Sequence, residues 1–311
     1  MPDHAELTDV PADGSADGSA VGPTTPLTAE QAAVLAAGLP ALRDLPWRRT
    51  RDRWAVLVSE VMLQQTGAAR VEPRWARFLH RWPTASACAA APLGDVLVEW
   101  QGLGYPRRAR NLWLAARACV DRHDGAVPST LPDLLALPGV GPYTARAVMA
   151  FAVEVDVGVV DTNIARVLAR RAGTRLTPRV AQAVADDLVP RGRSWEWNQV
   201  LMDLGAVWCR PEPHCDECPV HCAWRDAGRP EPDPAVGSAG VSRRQAAFRG
   251  SDRQLRGRVL AAIADGSIAA ATVEGDLVSE GFDGDRIVAV VASLVDDGLA
   301  VRGADGVLRH P

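Results

Sequence analysis

Pro138-Gly139-Val140-Gly141 stands between two runs of helical periodicity, and no other stretch restricts the chain as much. It opens the segment Leu137 to Arg170, LPGVGPYTARAVMAFAVEVDVGVVDTNIARVLAR. Glycine reaches backbone angles closed to other residues, so a Pro and two Gly suit a tight turn between helices. Ala147, Val148, Phe151 and Ala152 recur at helical spacing and predict a helix from about Thr144 to Val153 with one hidden face. A Gly hairpin leading into a helix points backbone N–H groups outward at a positive helix end, which suits a nucleic-acid phosphate. Gly139, Gly141 and Thr144 are therefore candidate DNA-binding residues. The same spacing would also serve a helix pair that only packs.

Strand-type alternation is almost absent up to Ala227, so this part of the chain is expected to be all-α. A length of 311 residues allows two domains. Residues 1–28 are rich in Asp, Gly, Ala, Ser, Pro and Thr, carry five acids and no Arg, and are expected to be a disordered acidic tail. Residues 29–230 form the main domain and carry 25 Arg against 21 acids. That mild basicity permits nucleic-acid binding without demonstrating it. Composition shifts to a linker over 231–250. Residues 251–311 read as three helices, Gln254–Ala264, Thr272–Glu280 and Asp283–Asp297, followed by a hairpin, which is a small winged-helix-like domain. With 9 Arg against 12 acids over 231–311, a packing or protein-contact role for it weighs as much as DNA contact. No apolar run reaches the length of a membrane span, and no secretory n-region with an apolar h-region opens the chain. A cytoplasmic, nucleoid-associated monomer is expected.

Every one of the 34 basic residues is Arg. A chain without Lys cannot form a lysine Schiff base, a P-loop or a pyridoxal-phosphate site. Carboxylates stand out instead. Glu60 lies within an expected amphipathic helix, Trp54 to Gln65, among Val56, Leu57, Val61, Met62 and Leu63, where burial would raise its pKa and fit it to act as a general acid. Taken alone, it reads as a surface Glu on an amphipathic helix. Asp161 follows Gly158-Val159-Val160 and can cap the next helix, or stabilise a cation that forms only in a transition state. The two tyrosines, Tyr105 and Tyr143, each follow a Gly-rich turn. Around Tyr105, the run Gly102-Leu103-Gly104-Tyr105-Pro106-Arg107-Arg108-Ala109-Arg110 suits stacking on bases and holding phosphates, or a packed surface turn. The ten Trp read mainly as helix-packing residues.

Four of the six cysteines, Cys209, Cys215, Cys218 and Cys222, follow the spacing C-x5-C-x2-C-x3-C in a loop with little apolar content. In a cytoplasmic setting they read as a metal site, either tetrahedral Zn or a 4Fe–4S cluster. Cys88 and Cys119 lie on helical faces and read as small buried residues.

In order along the chain, LPWR (45–48), SEVMLQQT (59–66), GLGYPRRARNL (102–112), LPGVGPYTA (137–145), VVDTNIARVLAR (159–170), LMDLGAVWC (201–209) and the cysteine loop resemble the MutY-type adenine DNA glycosylases of the helix-hairpin-helix superfamily. The resemblance covers roughly Leu45 to Trp224. It implies two α-helical lobes around a DNA-facing cleft, a 4Fe–4S cluster on the four cysteines, and removal of adenine mispaired with 8-oxoguanine or guanine in double-stranded DNA. By the same resemblance, Glu60 matches the acid that protonates adenine and Asp161 the carboxylate that stabilises the oxocarbenium ion. Asn163 matches the residue that positions this Asp, and Tyr143 a helper in the pocket. Gln65 and Tyr105 match residues that wedge into the duplex near the oxidised guanine.

The chain departs from that pattern in two places. The family's usual cysteine spacing is C-x6-C-x2-C-x5-C, and both outer gaps are shorter here. The Phe-Ser-His loop of the Nudix-like domain that ends many members is absent from residues 231–311. Endonuclease III shares the fold but uses a catalytic Lys where this chain has Tyr143. A thymine glycosylase for G/T mismatches also resembles the hairpin and the later Asp, and the Gln64-Gln65 pair favours adenine over it. A non-catalytic DNA-binding module would not need Glu60, Tyr143 and Asp161 together.

Overall fold

The computed structural model describes residues 26–220, 222–241, 247–264 and 266–311. All but the last three residues of the expected acidic tail, and most of Arg243–Phe248, lie outside them. Thr28 caps the first helix. Its hydroxyl accepts from Gln31 N at 3.1 Å while its own N–H donates to Gln31 Oε1 at 2.9 Å, so two otherwise unpaired groups satisfy each other.

The helices are α1 (Ala29–Gly38), α2 (Arg53–Leu63), α3 (Ala68–Arg81), α4 (Ala85–Ala90), α5 (Leu93–Glu99), α6 (Arg107–Arg122), α7 (Leu131–Leu135), α8 (Pro142–Val148), α9 (Thr162–Ala172), α10 (Pro178–Leu188), α11 (Ser194–Val207) and α12 (Ala223–Asp226). Helices α2 to α8 pack into one lobe, and α9 to α12 form a second lobe that α1 joins by lying on α11.

Helix α2 is the axis of the first lobe. Asp52 caps it by accepting from Ala55 N at 2.7 Å. It touches α3, α6 and α8. Trp54 through Met62 are all buried, so the helix has no solvent face and the expected amphipathic pattern does not hold. A helix apolar all round belongs in a core, and burying each of Leu57, Val58 and Met62 contributes roughly 2 kcal/mol. Glu60 shares this environment.

The hairpin forms as expected. Gly139 has φ +75°, and a Cβ there would meet the Asn111 side chain at 2.6 Å, so both backbone and space require glycine. The helix after it starts two residues ahead of the predicted Thr144 and ends at the predicted Val153. It runs as α8 to Val148 and widens into one π turn over Met149–Val153, which Glu154 ends at φ +60°. Between Thr84 and Trp100 the chain forms two helices, α4 and α5, because Pro92 supplies no N–H and fixes an extended backbone between them.

The small domain after residue 250 has helices α13 (Asp252–Ala262), α14 (Ala270–Ser279) and α15 (Gly284–Asp296) and strands β1 (Ile268–Ala269), β2 (Val301–Arg302) and β3 (Val307–Arg309). The sheet order is β1-β3-β2, antiparallel throughout, with Ile268 opposite Leu308 and Val301 opposite Arg309. The winged-helix expectation holds, with β1 added; two residues are too few to show alternation.

The stretch expected to be a linker is packed in its first half. Asp233 pairs with Arg170 at 2.6 Å, Ser238 accepts from Leu176 N at 3.1 Å, and Ala235 and Ser238 are buried. Prolines and glycines here shape a fixed strap over the second lobe.

Candidate active site and cysteine loop

A cleft of about 1290 Å³ runs between the lobes, and Glu60, Tyr143, Asp161 and Asn163 all line it. Glu60 projects from α2 and is 4% exposed. The Tyr143 hydroxyl, one residue into α8, donates to Glu60 Oε2 at 2.7 Å. Burial is the main cause that lifts the Glu60 pKa to about 7; the Tyr143 hydrogen bond opposes it, the Asp161 charge adds to it and Arg48 offsets part. Burial together with both carboxyls holds the Tyr143 phenol well above its ordinary value, so it stays a donor.

Asp161 reaches the same cleft from the N-cap of α9. Its Oδ1 accepts from Asn163 N at 3.0 Å and Ile164 N at 2.7 Å, and its Oδ2 from Asn163 Nδ2 at 2.8 Å. Burial raises its pKa, and these three donors and the Arg166 charge work against that rise. Glu60 has one donor where Asp161 has three, so negative charge settles on Asp161 and the proton on Glu60.

Asn163 is itself held. Arg166 Nη2 donates to Asn163 Oδ1 at 2.8 Å and to Gly205 O at 2.9 Å, and its Nε donates to Cys209 O at 2.9 Å. A Cβ at Gly205 would meet Asn163 backbone atoms at 2.6 Å, so α11 approaches α9 only because this residue is glycine. Arg166→Gln is expected to keep the fold and slow base release roughly 10- to 100-fold, the cost of a misplaced reacting group, with a smaller change in duplex affinity. A single-turnover rate equal to wild type would show that Asn163 needs no such support.

The DNA-facing candidates separate. Gly139 and Gly141 are exposed, and a Cβ at Gly141 would meet nothing. Thr144 also lines the cleft but is 2% exposed, and its hydroxyl accepts from Gln64 Nε2 at 3.3 Å. Gln65 and Tyr105 line the cleft, and both hold left-handed backbones, with φ +57° and +49°. Non-glycine residues in that region are held there by their surroundings and concentrate at functional sites.

Of the two readings of the run after Tyr105, its arginines favour the packed turn. Arg108 is buried, and its guanidinium donates to Val61 O, Met62 O, Leu103 O and Gly104 O at 2.8 to 3.0 Å. It caps the C-terminal end of α2 and braces the Tyr105 turn, and burial lowers its pKa to about 10. Arg107 pairs with Asp297 of the small domain, and Arg110 lies against Gly298.

Cys209, Cys218 and Cys222 border one apolar cavity with Leu204, Val220 and Arg170. Burial raises all three thiols, and neighbouring sulfurs, Cys215 among them, raise Cys218 and Cys222 further. Arg170, 1% exposed, donates to Cys209 Sγ at 3.2 Å. Among the described residues no three His, Cys, Asp or Glu side chains close around a single ion. Four neighbouring thiols beside a buried cation are a donor set that suits a thiolate-ligated metal ion or cluster.

A family profile described as "HhH-GPD superfamily base excision DNA repair protein" matches residues 58–190, a span that includes Glu60, the hairpin, Asp161 and Asn163. The chain is 43% identical over 275 residues to an adenine DNA glycosylase of Mycolicibacterium smegmatis, across 86% of this chain and 90% of that one. The chain belongs to the adenine DNA glycosylase family. A member from Mycobacterium tuberculosis is likewise 43% identical, across 86% of this chain and 89% of its own. The human member is 41% identical over 216 residues, 40% of its length. Among solved structures, a thermostable thymine-DNA glycosylase superposes with a TM-score of 0.61 at 30% identity, over 63% of this chain and 95% of its own. A trapped endonuclease III–DNA covalent intermediate superposes at 0.57 with 24% identity, over 66% of this chain and 100% of its own, and shares the fold. No helix among the described residues is long and apolar enough to cross a membrane.

Sequence reasoning missed Arg166, Gly205 and Arg108 as supports of the site. All three lie inside recognisable motifs, VVDTNIARVLAR, LMDLGAVWC and GLGYPRRARNL, but they support the site through partners about forty residues away in sequence.

Proposed function

We propose that this chain is a monofunctional glycosylase that hydrolyses the N-glycosidic bond of adenine mispaired with 8-oxoguanine or guanine. The observation that carries this reading is that two carboxyls of opposite disposition, Glu60 with Tyr143 and Asp161 with Asn163, face one cleft. Adenine leaves only when protonated, and Glu60, with its pKa near 7, can hold that proton at neutral pH. The sugar left behind develops positive charge, and Asp161 supplies the opposing carboxylate, as in glycoside hydrolysis. The adenine must first leave the helical stack to reach them, and the cleft has room for an extruded nucleotide. Gln65 and Tyr105 fill the gap beside the opposite base, while the exposed hairpin glycines hold backbone phosphate. The testing experiment measures base release from duplexes with A opposite 8-oxoguanine, A opposite G, and T opposite G. Release of adenine from the first two supports the reading; release of thymine alone replaces it with a thymine glycosylase.

Cys209, Cys215, Cys218 and Cys222 are the ligands we assign to a 4Fe–4S cluster. Bound there, the cluster would cross-link the loop that Arg166 and Arg170 tie to α9. Anaerobically purified protein is expected to carry about four irons per chain, the content of one cubane, by elemental analysis. Stoichiometric Zn without iron would reject the cluster.

A further inference from the structure

The small C-terminal domain does not stand apart from the cleft. Arg253, in the first turn of α13, donates from Nη1 to the Tyr105 hydroxyl at 3.0 Å and lines the same cleft as Glu60 and Asp161. Its guanidinium carbon lies 5.9 Å from the Tyr105 ring centre and 6.0 Å from that of Phe248. Phe248 is 60% exposed, an unusual outlay for a large aromatic, and its carbonyl accepts from Ser251 N and Oγ in the turn that caps α13. The domain is fixed in this pose. Asp297 on α15's C-terminal side pairs with Arg107 from the Tyr105 turn and with Arg256 from α13. Gly94 N also donates to Pro311 O at 3.3 Å, a second tether on the first lobe.

We propose that the winged domain forms part of the DNA-binding surface, with Arg253 contacting a backbone phosphate beside the base that packs on Tyr105, and Phe248 stacking next to it. A cation and an exposed aromatic side by side at a cleft rim are the pairing that single-stranded and distorted nucleic acid takes. Arg253 is thus both a DNA contact and the positioning residue for Tyr105. Of the domain's acids, Asp297 pairs with Arg107 and Arg256, and Asp252 pairs with Arg286. The inference rests on the proposed glycosylase reading, and adenine release by wild type tests that reading separately.

The experiment measures duplex affinity against salt for wild type, Arg253→Ala, Arg253→Lys and Phe248→Ala. The probe is a duplex with 2′-fluoro-2′-deoxyadenosine opposite 8-oxoguanine, whose glycosidic bond resists cleavage because fluorine disfavours the cation. Arg253→Ala is expected to bind about tenfold more weakly and to flatten the dependence of log K on log salt by about 1. Arg253→Lys should restore the slope, since it keeps the charge. Phe248→Ala should weaken binding with the slope unchanged. Wild-type affinity and slope in both Arg253→Ala and Phe248→Ala would overturn the proposal. So would a loss in Arg253→Ala without any slope change and without rescue by Lys, because Arg253 would then only prop Tyr105.

Discussion

Glu60→Gln is expected to abolish adenine release and to stabilise the folded protein above neutral pH. The amide keeps the shape and can still accept from the Tyr143 hydroxyl, but it has no acidic proton to give. The stability half follows from linkage. In the unfolded chain a Glu titrates near 4.5, and in the folded protein burial moves Glu60 to about 7. Between those values the folded state holds more protons than the unfolded one, so stability falls as pH rises through the window. Above pH 7 the buried carboxylate is charged and costs on the order of 3 kcal/mol relative to its unfolded form. Gln removes that cost. Thermal melts should therefore show the variant several degrees more stable than wild type above pH 7, with the gap closing as pH falls toward 4.5. In wild type, the single-turnover rate should drop about tenfold per pH unit above 7, as the acid form of Glu60 is lost. A variant melting like wild type at every pH would mean that Glu60 is solvated; substantial adenine release by the variant would remove it as the acid.

Such a trade of stability for activity is what a buried acid at a functional site implies. It also separates what the sequence could disclose from what it could not. Asp161 was legible because capping is local: the carboxylate meets donors two and three residues on. Gly139 was legible because a turn needs its φ within four residues. The cysteines were legible by spacing alone. Glu60 was legible only as an alternative, since the solvent face assigned to α2 is covered by three other helices, and no periodicity in the helix itself reports its neighbours. Arg166 binding Cys209 across 43 residues and Arg253 reaching Tyr105 across 148 are tertiary facts. So is Arg108, whose place in a basic run suggested phosphate contact until its carbonyl partners were seen. Arginine has five donors and serves backbone oxygens as readily as phosphates, so its presence in a motif leaves its partner open.

Asp161→Asn separates chemistry from binding more sharply than any other change. Asn caps helices as well as Asp does, so α9 should keep its N-terminus and the fold should hold. Both the Asn163 N–H and the Ile164 N–H still find an oxygen. What disappears is the negative charge facing the sugar as the glycosidic bond lengthens, and a preorganised charge in a closed site is worth far more than one in water. Release of adenine in single turnover should fall at least about a thousandfold, while affinity for the mismatched duplex stays within a few-fold of wild type, because the hairpin proposed to hold backbone phosphate is untouched. The wild-type product should be an intact strand with one abasic site, cleaved only on later alkali treatment. With no Lys in the chain, no internal amine is present to form the Schiff base that strand cleavage by a lyase requires. Prompt cleavage with borohydride trapping at an internal residue would defeat the monofunctional assignment. Near-normal release by Asp161→Asn would leave the cation without its counter-charge in this scheme, and the carboxylate's role would have to pass to another group in the cleft.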